Sequence, residues 1–564
     1  MKKTRWLAAV LAVLMLLALA ACGSGGEKTP EATKAPEATK TPEATKAPEA
    51  PAVSEEPDKE TYPLVEEPMT FTLWTAYSAT SAAYIDSILE IPVFDKLEEK
   101  LNVFIDPTCV SSAAAKEAFN IMVGSGEEYD LINMIGMYYT GGVVGALNDG
   151  VSIDIRDYVY EYMPNFVARA QELGVEKDLV TDDGRMGAFY TLQSPGGSTM
   201  KTLGVAIRQD WLDALKLDMP TTYDEIHEFL KASNTEYGAT MFVNYIGIAN
   251  ANELTAGYNI CASESSGRQP LSVRDGVVEM DWLRDEFRDY LTMMNEWYEE
   301  GLIWPDFATG KHSWITFNDS AVSDLLAGKI SIAQMELGDA STFPSKAVED
   351  QSGMVLSAMP MPKLEENTDV HVIAESSKYG VGWVVTPFCE NIDVICRYVD
   401  YMFTDEGAEL CSFGIEGSSY NKVGDGYEFT ELMTNDKDGR SVKTLFDIYM
   451  FDGQTCPFYC LSERNLLAYT EEAVNYGKVW ASGHDDAYLL PSSLSATAEE
   501  NDTWSAHWNE IDTYVVESMP KFIIGELDIE DDAAWQSFKD TIIEMGAEEL
   551  VATKQAAYDR YLKR

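Results

Sequence analysis

Histidine is scarce in this chain of 564 residues: His227, His312, His371, His484 and His507 are the whole set, and none stands at metal-ligand spacing from another. No G-x-S-x-G, H-E-x-x-H or Walker motif occurs. Two carboxylates able to hydrolyse a glycoside cannot be singled out by sequence among 94 acids. Basic residues are also few, 41 Lys and Arg against those 94 Asp and Glu, for a formal charge of −53. Such a field repels nucleic acid and anionic headgroups, and disfavours polyanionic ligands unless a local pocket opposes it. After residue 21 no apolar run reaches the roughly 20 residues of a bilayer span. The acidic loops "DIEDDAA" and "NDKDG" lack the spacing of a calcium-binding EF-hand and read as solvated turns.

The N-terminus has an organisation of its own. Lys2, Lys3 and Arg5 precede sixteen mostly apolar residues, Trp6 to Ala21, a pattern of a secretory leader. Leu19-Ala20-Ala21-Cys22 is similar to a bacterial lipobox, so residues 1–21 are expected to be removed and Cys22 lipidated (palmitate); the alternative is an uncleaved signal anchor. Seven cysteines then remain, an odd number that cannot all pair, and Cys456 and Cys460 in C-x-x-x-C match no zinc or redox spacing. Buried apolar thiols are the preferred reading. Next comes "TPEATKAPEATKTPEATKAPEA", a hexapeptide used nearly four times. Its regular prolines block a helix and it offers no large apolar side chain to bury, so residues 22–67 are expected to form a disordered tether. Fully extended, at ~3.1 Å per residue, it would reach on the order of 100 Å.

From Met69 the pattern becomes that of a folded α/β protein, long enough for two or three domains. "MTFTLW" alternates as a strand, "SILEIPVFDKLEEKL" has helical spacing, "NVFI" and "YDLINMI" read as strands, and "AKEAFNIMVGSG" is a helix stopped by glycine. In "VAIRQDWLDALKLDMPTTYDEIHEFLKA", Asp210 is expected to cap a helix from Trp211, and Thr222 with Glu225 forms a capping box. Helices dominate the second half.

Several segments in this order resemble the extracellular solute-binding proteins of carbohydrate ABC importers, in their large Gram-positive lipoprotein branch (family 1-like). They are "AFNIMVGSGEEYDLI" (118–132, with Tyr129 where the family usually has proline), "ALNDGVSIDIRDYVYEYMPNF" (146–166), "IRQDWLDALKLDMPTTYDE" (207–225), "MNEWYEEGLIWPDF" (294–307), "YMFTDEGAEL" (401–410), "FGIEGSSYNKVGDG" (413–426) and "KFIIGELDIEDDAAWQSFKDTIIEMGAEEL" (521–550). The resemblance implies a two-lobed α/β fold of the periplasmic-binding-protein type (class II). Lobe 1 would hold residues 69–200 plus 375–410 and lobe 2 residues 201–374 plus 411–564, with the ligand cleft between them. It further implies a monomer, tethered to the extracytoplasmic face by lipid alone, that captures an oligosaccharide and passes it to ABC permease subunits with a cytoplasmic ATPase. No catalysis, cofactor, metal or nucleic-acid partner is implied. The alternatives are the same scaffold serving a peptide or lipid precursor, and a secreted glycan-active enzyme; a structural or adhesive surface protein is a third class.

A sugar site needs aromatic platforms for C–H faces and polar groups for hydroxyls. Ligands in such sheets sit beyond the carboxyl ends of strands. That rule points to Trp74 and Tyr77 after the first strand, and to Met137, Tyr138 and Tyr139 after "YDLINMI". The family resemblance adds Tyr190 and Gln193 before the first crossing, Tyr245 after "ATMFV", Glu336 after "ISIAQM" and Trp504 in "ENDTWSAHW". Arg208 offers a fork of donors, and a salt bridge to one of the surrounding acids is an equally good account of it. For each of the others the alternative is ordinary packing or a solvated loop.

Overall fold

The structure, a computed structural model, describes residues 61–77, 81–195, 201–243, 252–261, 270–307, 315, 319–372, 378–424, 426–438, 440, 442–452 and 456–564. The leader, Cys22 and the proline repeat lie outside them. Residues 61–67, assigned to the tether from sequence, pack on the body. Leu64 is buried and its N–H donates to the Leu101 carbonyl, Tyr62 sets its ring edge-on to Tyr401, and Asn102 Nδ2 donates to the Val65 carbonyl. One leucine and one tyrosine after the last repeat supply the apolar area that the repeat lacks.

The strands run in chain order as β1 (Met69–Tyr77), β2 (Val103–Ser111), β3 (Leu131–Ile132), β4 (Tyr190–Gln193), β5 (Leu203–Arg208), β6 (Thr240–Phe242), β7 (Leu271–Arg274), β8 (Val277–Met280), β9 (Ile330–Glu336), β10 (Leu356–Met359), β11 (Tyr379–Val381), β12 (Val384–Val385), β13 (Tyr420–Val423), β14 (Gly426–Phe429) and β15 (Tyr459–Cys460). They build two separate four-stranded sheets, ordered β12-β3-β1-β2 and β10-β5-β9-β6. In the first, β1 runs parallel to β2 and β3 while β12 is antiparallel. In the second, β5 is antiparallel to both neighbours and β6 is parallel to β9.

Local chemistry explains the helices that cover these sheets. Helix Pro92–Leu101 starts on proline, buries Val93, Phe94, Leu97 and Leu101 on one side, and ends where Asn102 turns left-handed. Helix Tyr223–Tyr237 carries the expected capping box, with Thr222 accepting from Glu225 N–H and Glu225 accepting from the Thr222 N–H. The neighbouring expectation is corrected: the helix starts at Gln209, and the Asp210 carboxylate holds the Arg208 guanidinium instead of capping a backbone end.

Two apolar cores result. The first gathers residues from Leu64 to Leu192 and from Trp383 to Cys460; the second gathers residues from Val205 to Val372 and from Ala473 to Leu550. The expected return to the second lobe at 410/411 is therefore about fifty residues early. Cys411, Met433, Leu445, Phe446, Ile448 and Cys456 pack in the first core. The intervening chain is anchored there by its rings, with Phe413 stacked on Tyr427 at 4.1 Å and Phe429 edge-on to Phe446.

A third sheet joins the two cores. Its order is β11-β4-β15: β4 carries the chain out of the first core, β11 brings it back, and β15 carries it out again. Ser194 and Ser462, just past two of these strands, are buried and bonded to each other. Their hydroxyls lie 2.6 Å apart, Ser462 N–H donates to Ser194 Oγ at 2.9 Å, and Ser462 Oγ donates to the Ser194 carbonyl at 2.9 Å. Among the described residues no helix is long and apolar enough to cross a membrane.

Gly204 in β5 shows how tightly the second sheet is packed. A Cβ there would sit 2.1 Å from Trp480 Cδ2, while the indole N–H donates to the Val205 carbonyl at 2.8 Å. Gly204→Ala is expected to cost about 1–3 kcal/mol or more, read as a lower urea midpoint with unchanged slope.

Candidate functional site

The chain just past β3 lies beside a crossing strand, a Cβ on Gly136 falling 3.2 Å from Val381 of β11, and the carboxyl end of β9 meets the chain that leaves the crossing. β9 ends at Glu336, paired with Leu203, the first residue of β5 after the crossing, and Leu337 N–H donates to the Thr202 carbonyl. The hinge therefore brings a first-lobe wall and a second-lobe wall together.

On the first-lobe wall, Tyr77 is half-buried at the end of β1, where desolvation, helped by Cys109, Asp86 and Glu90, pushes its phenol up. Asn133, directly after β3, is buried. Its N–H donates to the Trp74 carbonyl, its Nδ2 to Thr75 Oγ1, and its Oδ1 accepts from Met134 N–H. These bonds fix the left-handed turn at Met134 (φ 65°) that launches the short helix Ile135–Tyr138. Met137 on that turn is 61% exposed, and Tyr138 rests half-buried against Phe119. The Tyr139 hydroxyl donates to Asp149 at 2.8 Å, and burial together with that carboxylate raises its pKa to about 12.

At the hinge, Tyr190 is buried edge-on to Tyr379, and burial raises its phenol further. Gln193 is half-buried, its N–H donating to the Lys378 carbonyl. The Tyr379 hydroxyl lies 3.0 Å from Ser492 Oγ of the second lobe.

On the second-lobe wall, Glu336 caps helix Leu337–Glu349. Its carboxylate accepts from Asp339 N–H, and Asp339 Oδ2 accepts from Glu336 N–H at 3.0 Å. Burial raises the Glu336 carboxyl. Asp339 is lifted to about 6, by burial first and by the charge of Glu336 second, against the pull of Lys346 and the bond from Glu336 N–H. Gln334, on the same face of β9, is buried with both ends of its amide unpaired. Trp504, on helix Ala498–Ile523, stacks on Trp508 (5.0 Å), which stacks on Trp282 (5.7 Å), and Lys554 Nζ lies 4.6 Å from the Trp504 centroid. The walls touch nearby: a Cβ on Gly141 would lie 3.1 Å from Asn501 Nδ2.

Three expected contacts, the buried Tyr190 among them, are not presented to a ligand in this structure. Trp74 is 2% exposed and set edge-on to Phe119 at 5.4 Å; parallel strands covered on both sides make core of an aromatic that the strand-end rule reads as a platform. Arg208 sits at the end of β5 away from Glu336, with Nε and Nη2 on Asp210 (2.8 and 2.6 Å) and its guanidinium 3.8 Å from the Trp211 centroid. It is the salt bridge that was its alternative. Tyr245 and Cys22 lie outside the described residues. The sequence reading missed Asn133, Tyr379 and Asn501. A lone polar side chain ending a buried strand is the signal that finds Asn133.

Of the seven cysteines from Cys109 onward, six are buried and Cys109 is half-buried. Among the described residues no three His, Cys, Asp or Glu side chains gather as a metal site. The loop "NDKDG" is held by its own arginine, Arg440 Nη2 donating to Asp436 Oδ1 at 2.6 Å. A groove of about 800 Å³ between Tyr62, Lys100, Tyr401 and Tyr420 lies on the first lobe.

No protein-family model matches the chain. It is 24% identical over 349 residues to the polygalacturonan/rhamnogalacturonan-binding protein YtcQ of Bacillus subtilis (strain 168), a match spanning 61% of this chain and 66% of that one. It is 23% identical over 543 residues to the fructooligosaccharide ABC transporter substrate-binding protein FusA of Streptococcus pneumoniae serotype 4, covering 89% and 92%. Among solved structures, an HMO-binding ABC-transporter-associated solute-binding protein from Bifidobacterium longum infantis superposes with a TM-score of 0.67 at 18% identity, covering 89% of this chain and all of that one. The chain thus has the two-lobed α/β fold of the solute-binding proteins, and the two relatives named above carry sugar-binding names.

The raised carboxyl of Asp339 yields a pH dependence. A folded-state pKa of about 6 against 3.8 unfolded means the folded protein binds this proton more tightly. The resulting stability is present below about pH 4 and lost as pH rises through 6. Asp339→Asn keeps an acceptor for Glu336 N–H and removes the charge. Its melting temperature is expected to exceed that of the wild type at about pH 7, by an equivalent on the order of 1–3 kcal/mol, with the gap closing near pH 4.

Proposed function

We propose that this protein captures an oligosaccharide outside the cell and delivers it to an ABC importer, working as a monomer by lobe closure without covalent chemistry. The observation that carries the reading is the hinge: two α/β lobes joined by three mutually bonded crossing strands, with the strand ends of both facing the junction. The relatives named for fructooligosaccharide and for polygalacturonan or rhamnogalacturonan support a sugar as the cargo. A ligand touching both lobes favours the closed state by its differential contacts, and the closed state is what the permease, driven by its cytoplasmic ATPase, recognises.

Tyr77, Met137 and Tyr138 offer ring and thioether surface from the first lobe. Gln193 stands at the hinge, and Glu336 and Trp504 serve from the second lobe; Tyr245 is proposed from its place in the sequence after "ATMFV". Tyr139 and Tyr190 act beneath this layer, the first holding Asp149 and the second packed on Tyr379. The half-buried Glu336 carboxyl offers oxygens that accept from ligand hydroxyls. The lipobox-like LAAC supports a body tethered at the extracytoplasmic face through Cys22, by lipid alone.

The test is a thermal-shift screen of the chain from Gly23 onward against pectic, fructan, milk and alginate oligosaccharides, with oligopeptides alongside. A glycan at 100 times its Kd is expected to add about 2.7 kcal/mol of stability. A melting point unmoved by every glycan and raised by a peptide would refute the sugar assignment. For the glycan that binds, Tyr138→Ala and Glu336→Gln are each expected to weaken Kd about tenfold or more in titration calorimetry. In cells, Cys22→Ser is expected to move the protein from the membrane fraction to the medium.

A further inference from the structure

Away from the strands of the hinge, the lobes meet at a second, ionic contact. The first lobe contributes the short loop from Lys177 to Asp182, anchored in its core by Val175 just before it and Leu179 within it. The second contributes the end of helix Ala547–Tyr561, whose Ala547 and Leu550 lie in the other core. Arg560 Nε donates to Asp182 Oδ2 at 2.7 Å, and its other two nitrogens grip Glu500 at 2.7 and 2.6 Å. Arg564 Nε donates to Asp182 Oδ1 at 2.9 Å and Nη1 to the Lys177 carbonyl at 3.2 Å. Its Nη2 reaches back to the Ser493 carbonyl and Ser495 Oγ. Tyr561 and Ser493 both donate to Asp178 Oδ1, at 2.9 and 2.7 Å. The Arg564 side chain is only 2% exposed, so this is no solvated surface pair.

The chain of charges Glu500–Arg560–Asp182–Arg564 alternates in sign and runs from one lobe into the other. Planar guanidinium forks fix its geometry as point charges would not. Glu500 also belongs to the capping box with Thr497 that starts helix Ala498–Ile523. That same first turn carries Asn501, against Gly141 of the first lobe, and leads to Trp504. Rotation about β4, β11 and β15 must stretch this contact or turn about it.

We propose that Arg560 and Arg564, clamped on Asp182, together with Tyr561 on Asp178, form an inter-lobe clasp that sets the resting angle of the unliganded protein. The clasp thereby positions the Thr497–Trp504 turn against the 137–141 loop. These are positioning residues; the second role rests on the binding-protein reading, whereas the first is measurable with no ligand at all.

The experiment is small-angle X-ray scattering of the unliganded chain from Gly23 onward, comparing wild type with Asp182→Asn, Arg564→Gln and Asp182→Glu, each with a thermal melt. The neutral variants are expected to show a larger radius of gyration while still melting cooperatively, and Asp182→Glu to return towards wild type. An unchanged radius in both neutral variants, even with lowered melting temperatures, would reduce the cluster to simple stabilisation and overturn the proposal. An Asp182→Glu variant as open as Asp182→Asn would overturn it too. Should Asp182→Asn not fold, Arg560→Gln, which leaves Arg564 on Asp182, is expected to give the same expansion in smaller degree, and no expansion contradicts the clasp. With whichever panel glycan the wild type binds, Kd in the neutral variants is expected to rise about fivefold or more. Absence of any glycan binding by the wild type would count against the sugar reading and leave the scattering result to judge the clasp.

Discussion

Everything in this molecule that bears on binding depends on three short strands bonded to one another. β4, β11 and β15 are the only described segments through which the chain passes between the two cores, and they are paired as one small sheet. Backbone pairing satisfies the polar groups of all three crossings in a place too thin for a core of its own. The Ser194–Ser462 bonds then tie two of them just where they leave the sheet. A junction whose crossings pack on the first core and are joined to one another by backbone hydrogen bonds resists separation and still permits rotation. Two rigid bodies on a compliant joint are what a ligand needs if its contacts are to choose between open and closed.

The lobes are rigid for the opposite reason. Each is a sheet buried under helices, with indoles and phenols filling the gaps: Trp480 over Gly204, Trp282 under Trp508, Phe119 under Trp74 and Tyr138. Rigidity at the walls matters because the exposed groups, Met137 on its turn and Glu336 on its helix cap, are placed by what lies beneath them. Asn133 is the plainest case. Its backbone N–H bonds the Trp74 carbonyl of β1 and its buried side-chain amide bonds Thr75, and together they set the turn from which Met137 projects.

Much of this was legible in the sequence where a local rule decides the outcome. Alternation in "MTFTLW" marks β1, the Thr222–Glu225 pair marks a helix start, and the ordered family-like segments imply two lobes. Where long-range packing decides, legibility fails. Nothing local tells that Trp74 points into a core closed by Phe119, or that Asp210 serves Arg208 rather than a helix end. The last crossing was misplaced because the aromatic cluster Phe413, Tyr427 and Phe429 gives no linear hint of which core it joins. Tyr62 and Leu64 were lost to the tether because proline-rich composition outweighs two apolar residues in any window read along the chain.

The central claim is that a glycan is held between two lobes that close on it. Scattering from the chain at saturation with its glycan, against the same chain alone, tests it directly. The account predicts a smaller radius of gyration in the complex and the glycan recovered intact. Saturable binding with an unchanged radius, or release of a cleaved glycan, would contradict it.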